Sequence, residues 1–209
     1  MKLFNIVDTA EAVNKGAVIA YPTETVWGLG ASIFNQQAVD EIFKIKGRDV
    51  NQALSVLVRD VEMAKTLVML NQKEKRLLKS FWPGPVSFIF PALDKKIATA
   101  LGSHDGTLCL RCSHHDWIKR FILLVESPIV STSANLSGKP PAQDVKALDW
   151  LPEEVKVADW QPEADNVRSL PSTILKTNGN EIQVIRKGAW SVEKLIPLLE
   201  KLDYTVIDN

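Results

Sequence analysis

The strongest constraint on this chain is a series of short apolar, β-favouring runs spread along its length. They lie at 17–21, 54–58, 86–90, 107–110, 129–131, 155–158, 172–176 and 182–186. Runs this short bury too little alone and must join a shared sheet. Segments of helical period fall between them. Residues 36–46 place Ala38, Val39, Ile42, Phe43 and Ile45 along one helical stripe. Helices are also expected over 61–70, over 73–81 up to Pro83-Gly84-Pro85, within the charged stretch 94–106, and over 117–125 and 144–150. The last helix is expected over 191–202, with Ser191 as N-cap. No internal repeat or linker interrupts the series, and 162–170 is its most loop-like stretch. The pattern predicts an α/β (α+β) fold, a single domain over 1–209 with a mixed sheet flanked by helices.

A chain of 209 residues can bury a core without disulfides or a structural metal. Lys+Arg and Asp+Glu both number 25, so net charge gives no general pull toward nucleic acid or membrane. No stretch approaches the ~18 uninterrupted apolar residues of a membrane span, so no membrane contact is expected. Met1–Asn5 lacks the apolar run of a signal peptide, and with reduced thiols this points to the cytoplasm. Cys109 and Cys112 form a CxxC pair that reads as two small buried thiols before it reads as a redox pair or half a zinc site. No second pair completes such a site. His104, His114 and His115 have no metal or triad spacing. No protein-ligated metal is expected.

Four segments carry chemistry. Tyr21–Gly30 follows a strand and brings Thr23 and Thr25 together with Gly28 and Gly30, which read as a turn-rich loop whose backbone can approach a polar ligand. Lys44, Lys46 and Arg48 cluster at a helix end, where cations complement the dipole and can hold phosphates. No GxxxxGK[ST] loop is present. Ser131–Gly138 sets Ser131, Thr132, Ser133, Asn135 and Ser137 directly after an apolar strand. Such a loop offers donors and acceptors to phosphate, ribose or an amino acid. Arg111 and Arg186 each stand at a strand end, where a guanidinium can clamp a carboxylate or phosphate, and Pro171-Ser172-Thr173 opens a further strand.

In combination these segments resemble the YrdC/TsaC family of threonylcarbamoyl-adenylate synthases. The matching pieces are YPTETVWGLG (21–30), KGR (46–48), WPGPVSFIFPA (82–92), TLCLR (107–111), PIVSTSANLSGKPPA (128–142), PSTIL (171–175) and VIRKG (184–188), in family order. The resemblance implies a twisted mixed sheet with a large concave cleft. It implies condensation of L-threonine, bicarbonate and ATP to threonylcarbamoyl-AMP and pyrophosphate. A threonylcarbamoyl transferase complex then modifies tRNA with that product. Thr25, Arg111, Ser133 and Ser172 match threonine-binding positions. Lys46 and Arg48 match the catalytic basic pair facing the ATP phosphates, and Gln52, Thr107, Asn135 and Arg186 match nucleotide-contacting positions. Mg²⁺ would accompany ATP, held by phosphates and water.

Three departures stand out. Gln52-Ala53 replaces an Asn-Pro or Lys-Pro pair, Leu57 stands where some relatives carry a threonine-contacting histidine, and Gln143 replaces a hydroxyl residue. The resemblance leads one to expect the short form of the family. The competing reading is a non-catalytic double-stranded-RNA or tRNA-binding module of the same fold. Its basic face would be lined by Lys44, Lys46, Arg48, Lys139, Arg168, Arg186 and Lys187.

Overall fold

Strand β1 (Leu3–Phe4) leads into helix α1 (Ile6–Asn14), and a tight turn carries the chain into β2 (Ile19–Tyr21) and β3 (Gly28–Gly30). Then come α2 (Gln36–Lys46), β4 (Ser55–Leu57), α3 (Val61–Ala64), α4 (Gln72–Phe81) and β5 (Val86–Pro91). The middle of the chain forms α5 (Lys95–Ala100), β6 (Thr107–Arg111), α6 (Asp116–Val125) and β7 (Ile129–Ser133). A 3₁₀ turn (Val145–Leu148) precedes β8 (Lys156–Ala158), β9 (Thr173–Asn178), β10 (Glu181–Arg186), α7 (Val192–Glu200) and β11 (Thr205–Ile207). This is a computed structural model, and it describes residues 2–160 and 170–207. Arg168 and the expected loop up to residue 169 lie outside the described residues.

The strands form one sheet in the order β1-β8-β2-β3-β7-β4-β6-β5-β9-β10-β11. Parallel pairs (β1/β8, β2/β8, β4/β6, β5/β9, β10/β11) are interleaved with antiparallel ones (β2/β3, β3/β7, β4/β7, β5/β6, β9/β10), so the sheet is mixed, as expected.

Strand alternation decides which side is core. Val56, Leu110, Phe88, Leu175 and Val184 stand opposite one another across β4, β6, β5, β9 and β10, and all are buried. One residue along each strand, the side chains face the other way. Ser55, Cys109, Ile89, Lys176 and Gln183 form that row, and none of them is fully buried. Over these strands the sheet therefore has a packed apolar face and an opposite, more polar face, part of which is covered further along by a second core cluster that includes Leu57, Ile129 and Trp117.

Local signals set the helix ends. The Asn35 side chain accepts the Ala38 N–H at 3.0 Å to start α2, and Gly47 ends it in the left-handed region (φ 54°). Asn71 and Glu74 form a reciprocal capping box on α4.

Several expectations are corrected. The helix expected over 61–70 stops at Ala64, because Met69 N–H pairs with Pro91 O and Leu93 N–H with Leu67 O. Gly28–Gly30 is a strand, not a turn. Its glycines are needed because the Tyr21 ring crosses them: a Cβ on Gly28 would come within 2.9 Å of the ring, and one on Gly30 within 2.7 Å. The strand expected to end at 131 runs on to Ser133, so Thr132 and Ser133 are held by pairing with Leu29 and Gly28.

Candidate active site

Several elements end at one place. The loop after β2 brings Thr23, Thr25, Val26 and Trp27, and β7 brings Ser131, Thr132 and Ser133. Strands β4, β5 and β6 contribute Ser55, Ser87 and Arg111, and the segment entering β9 contributes Pro171, Ser172 and Ile174. Arg186 at the end of β10, with Arg48 and Ala53 beyond α2, closes a recess of about 140 Å³. Register explains the floor: Arg111 stands opposite Leu57, and Arg186 opposite Ile174, which pairs with Ser87.

The loop after β2 is built on Thr23. Its hydroxyl donates to Val26 O (2.6 Å) and accepts the N–H groups of Thr25 and Val26. That turn leaves the Thr25 hydroxyl 2.9 Å from Thr23 Oγ1 and within 3.5 Å of Arg111 Nη1. On the opposite wall, Arg186 donates to Ser172 O (2.9 and 3.2 Å) and Ser172 Oγ (3.3 Å), and Ser172 Oγ lies 2.9 Å from Ser87 Oγ. Gly188 lets these segments touch, because a Cβ there would sit 2.3 Å from Pro171 O. Arg48 is fixed by two carbonyls, Gln52 O and Ala53 O, both at 3.0 Å.

The recess is cationic. Arg48 and Arg186 have no carboxylate within ion-pair distance among the described residues. Burial lowers the pKa of both, and for Arg186 the charges of Arg111 and Arg48 lower it further. Arg111 faces Glu24 at 3.8 Å, both nearly fully buried. Burial works against the Glu24 charge, but Arg111 and the Ser113 hydroxyl outweigh it and hold the carboxyl below its ordinary range. Guanidiniums left without acids in a buried site make an anion pocket.

Of the ten expected site residues, Thr25, Arg48, Arg111, Ser133, Ser172 and Arg186 line this recess. Four do not. Lys46 is 1% exposed, and its ammonium donates to Ser133 O, Asn135 O (2.9 Å) and Asn135 Oδ1 (3.2 Å). All three protons are used inside the protein, so it braces the Ser133–Asn135 loop from behind. Asn135 is likewise occupied, its Nδ2 donating to Leu136 O and Lys139 O, both at 2.8 Å. Gln52 is exposed and supplies its carbonyl to Arg48. Thr107 opens β6, four residues before Arg111 and so about 13 Å away along the strand. Its hydroxyl donates to Asp105 Oδ1 at 2.6 Å.

Of the other hydroxyls in these segments, Thr23 and Ser131 line the recess, while Ser137 is exposed and donates its N–H to Lys46 O at 2.8 Å. Leu57 is fully buried beside Tyr21 and Trp117, so that departure falls in the core. Ser55, Ser87 and Glu24 were not singled out from the sequence. Serines at inward-alternating places in apolar strands, and an acid inside Tyr21–Gly30, were the available signals. Cys109 and Cys112 are free thiols, half-buried and buried. No group of three or more His, Cys, Asp or Glu suited to a metal occurs among the described residues.

Comparison with known proteins agrees with this architecture. The Sua5/YciO/YrdC family model, described as telomere recombination, matches residues 11–188. The threonylcarbamoyl-AMP synthase of Xanthomonas axonopodis pv. citri is 39% identical over 141 residues, covering 66% of this chain and 75% of that protein. The structure of Pyrococcus abyssi Sua5 complexed with L-threonine superposes with a TM-score of 0.80 at 27% identity, over 97% of this chain. This chain spans 58% of that protein's length. E. coli YciO shares the fold, with a TM-score of 0.78 at 23% identity over 90% of this chain and 91% of that one. With the family model spanning most of its length and every recess-lining strand, the chain belongs to the Sua5/YciO/YrdC family.

Proposed function

We propose that this chain is a threonylcarbamoyl-AMP synthase, which condenses L-threonine, bicarbonate and ATP and releases pyrophosphate. The observation that carries the reading is the recess itself: three guanidiniums and a rim of hydroxyls around a space with one buried acid. Such a site suits two anionic substrates held side by side. Arg111 and the Thr25 hydroxyl stand together on one wall, suited to the carboxylate and polar groups of threonine. Arg48 and Arg186 face the same space and suit the triphosphate.

The chemistry needs no protein nucleophile. The neutral amine of threonine adds to CO₂ and gives up a proton, or condenses with bicarbonate and releases water, to give a carbamate. A carbamate oxygen attacks the α-phosphorus of ATP, forming the mixed anhydride and expelling pyrophosphate. The chain supplies position and charge: fixed guanidiniums stabilise negative charge as it builds on the phosphates. Mg²⁺ travels with ATP, and its ligands would be phosphate and water, because the described residues that line the recess include no carboxylate. The product is a donor for tRNA modification by a separate threonylcarbamoyl transferase complex.

The test is mass spectrometry of the nucleotide product after incubation with ATP, Mg²⁺, bicarbonate and L-threonine. A threonine- and bicarbonate-dependent threonylcarbamoyl-AMP is expected, with none when threonine is omitted. Absence of product from folded protein that binds duplex RNA with a steep salt dependence would replace this reading with an RNA-binding one.

A further inference from the structure

Glu24 sits behind the recess wall, 6% exposed. Its Oε2 accepts the Ser113 hydroxyl, and its Oε1 accepts no hydrogen bond. That oxygen lies 3.8 Å from Arg111 Nη1 and 3.7 Å from Nδ1 of the half-exposed His114. The three guanidiniums of the recess are thus held in two different ways. Arg48 and Arg186 are anchored on backbone carbonyls. A carbonyl dipole fixes a guanidinium but leaves its charge intact. Arg111 is anchored beside a carboxylate, which offsets that charge.

The two sides of one recess therefore differ in field. On the Arg48 and Arg186 side no carboxylate among the described residues offsets the two charges, while the Arg111–Glu24 pair is close to neutral at a distance. Long-range attraction of a polyanion scales with net charge, whereas two short hydrogen bonds to a planar carboxylate depend on geometry. We propose that Glu24 is a positioning residue that reserves Arg111 for the monoanionic carboxylate of the amino acid and leaves the triphosphate to Arg48 and Arg186. This rests on the synthase reading above. Without Glu24, Arg111 becomes a third bare cation, free to take phosphate and less firmly aimed at threonine.

The experiment measures product formation by the full chain, wild type and Glu24→Gln, varying threonine and ATP separately and adding inorganic phosphate as a competing anion. In Glu24→Gln the KM for threonine should rise about tenfold, because the buried ion pair that aims Arg111 is broken. The KM for ATP should change less than about twofold, and phosphate should become a competitive inhibitor against threonine, as it is not in the wild type. An unchanged threonine KM without new phosphate competition overturns the inference. So does a parallel rise of both KM values with a lowered Tm, which marks a purely structural carboxylate. Ser113→Ala loosens Glu24 but keeps its charge. It should raise the threonine KM about two- to threefold without phosphate competition, and an unchanged KM in that variant counts against the inference even if Glu24→Gln does not fold. A wild-type chain that forms no product overturns the synthase reading, whereas an active wild type with an indifferent Glu24→Gln overturns this inference alone.

Discussion

Each cation of the candidate site is held by a different partner, and each should fail differently. Arg48 is fixed on two carbonyls and faces the recess. Arg48→Ala should lower kcat/KM for ATP by about 10²–10³-fold in a steady-state assay while leaving the urea midpoint nearly unchanged. Lys46 is the reverse case, buried behind the loop that carries Ser133. Lys46→Met leaves Asn135 O without a donor, at about 1–3 kcal/mol, and takes one of the two donors from Ser133 O and from Asn135 Oδ1, so it should lower the urea midpoint. Burial, with the Arg48 charge adding to it, pushes the Lys46 pKa from 10.5 down to about 8. Because the folded value lies below the unfolded one, the unfolded chain holds this proton more tightly between the two. Lys46's contribution to stability therefore rises with pH across that window. Activity should move the opposite way. A neutral amine has two donors for three acceptors, so the loop loosens as pH passes about 8. The wild-type pH profile should show a falling limb there that Lys46→Arg, charged throughout, lacks.

Among the elements, the segment entering β9 and the one leaving β10 meet in very close contact. The contact between the 171–172 segment and residues 188–189 leaves no room for a side chain: Gly188 Cβ would meet Pro171 O at 2.3 Å and the Ser172 carbonyl carbon at 2.5 Å. Gly188→Ala must push Ser172 away from Arg186. It should both destabilise the fold and raise the KM for ATP, read by urea titration and kinetics on the same sample. Helix α4 gives the contrasting control. Asn71→Ala removes its capping box and should cost about 1 kcal/mol in a urea titration with kinetics unchanged, because α4 contributes no residue to the recess.

For the whole molecule, one cluster of buried side chains runs from Val18 to Tyr204 and crosses both halves of the sheet. Phe88 stands at its middle, fully buried against Phe81, Trp82 and Phe90. Phe88→Ala should cost about 3–5 kcal/mol. Far-UV circular dichroism and tryptophan fluorescence should still report one coincident unfolding transition, since a shared core gives neither half its own stability. Separate transitions would mean that the sheet unfolds in parts.

Most of the longer strands and helices were legible in the sequence, because period and capping are local, although the helix expected over 61–70 ends at Ala64. Residues 36–46 are helical within the bounds their apolar spacing predicts. The sequence also determined which loops carry polar groups, since Thr25, Ser133, Ser172 and the arginines follow or open apolar runs. The two- and three-residue edge strands β1 and β11 carry no periodic signal, and the β3 glycines carry a turn signal although it is the Tyr21 ring lying across them that requires them. Which cations face the recess was set by long-range packing. Lys46 and Arg48 are neighbours in sequence, but a left-handed Gly47 lies between them. One is buried against the 133–135 loop and the other opens on the cleft. Long-range packing also paired Glu24 with Arg111, 87 positions apart, by ending β2 and β6 at the same place. Burial and opposition across a sheet belong to register, and no local stretch of sequence records them.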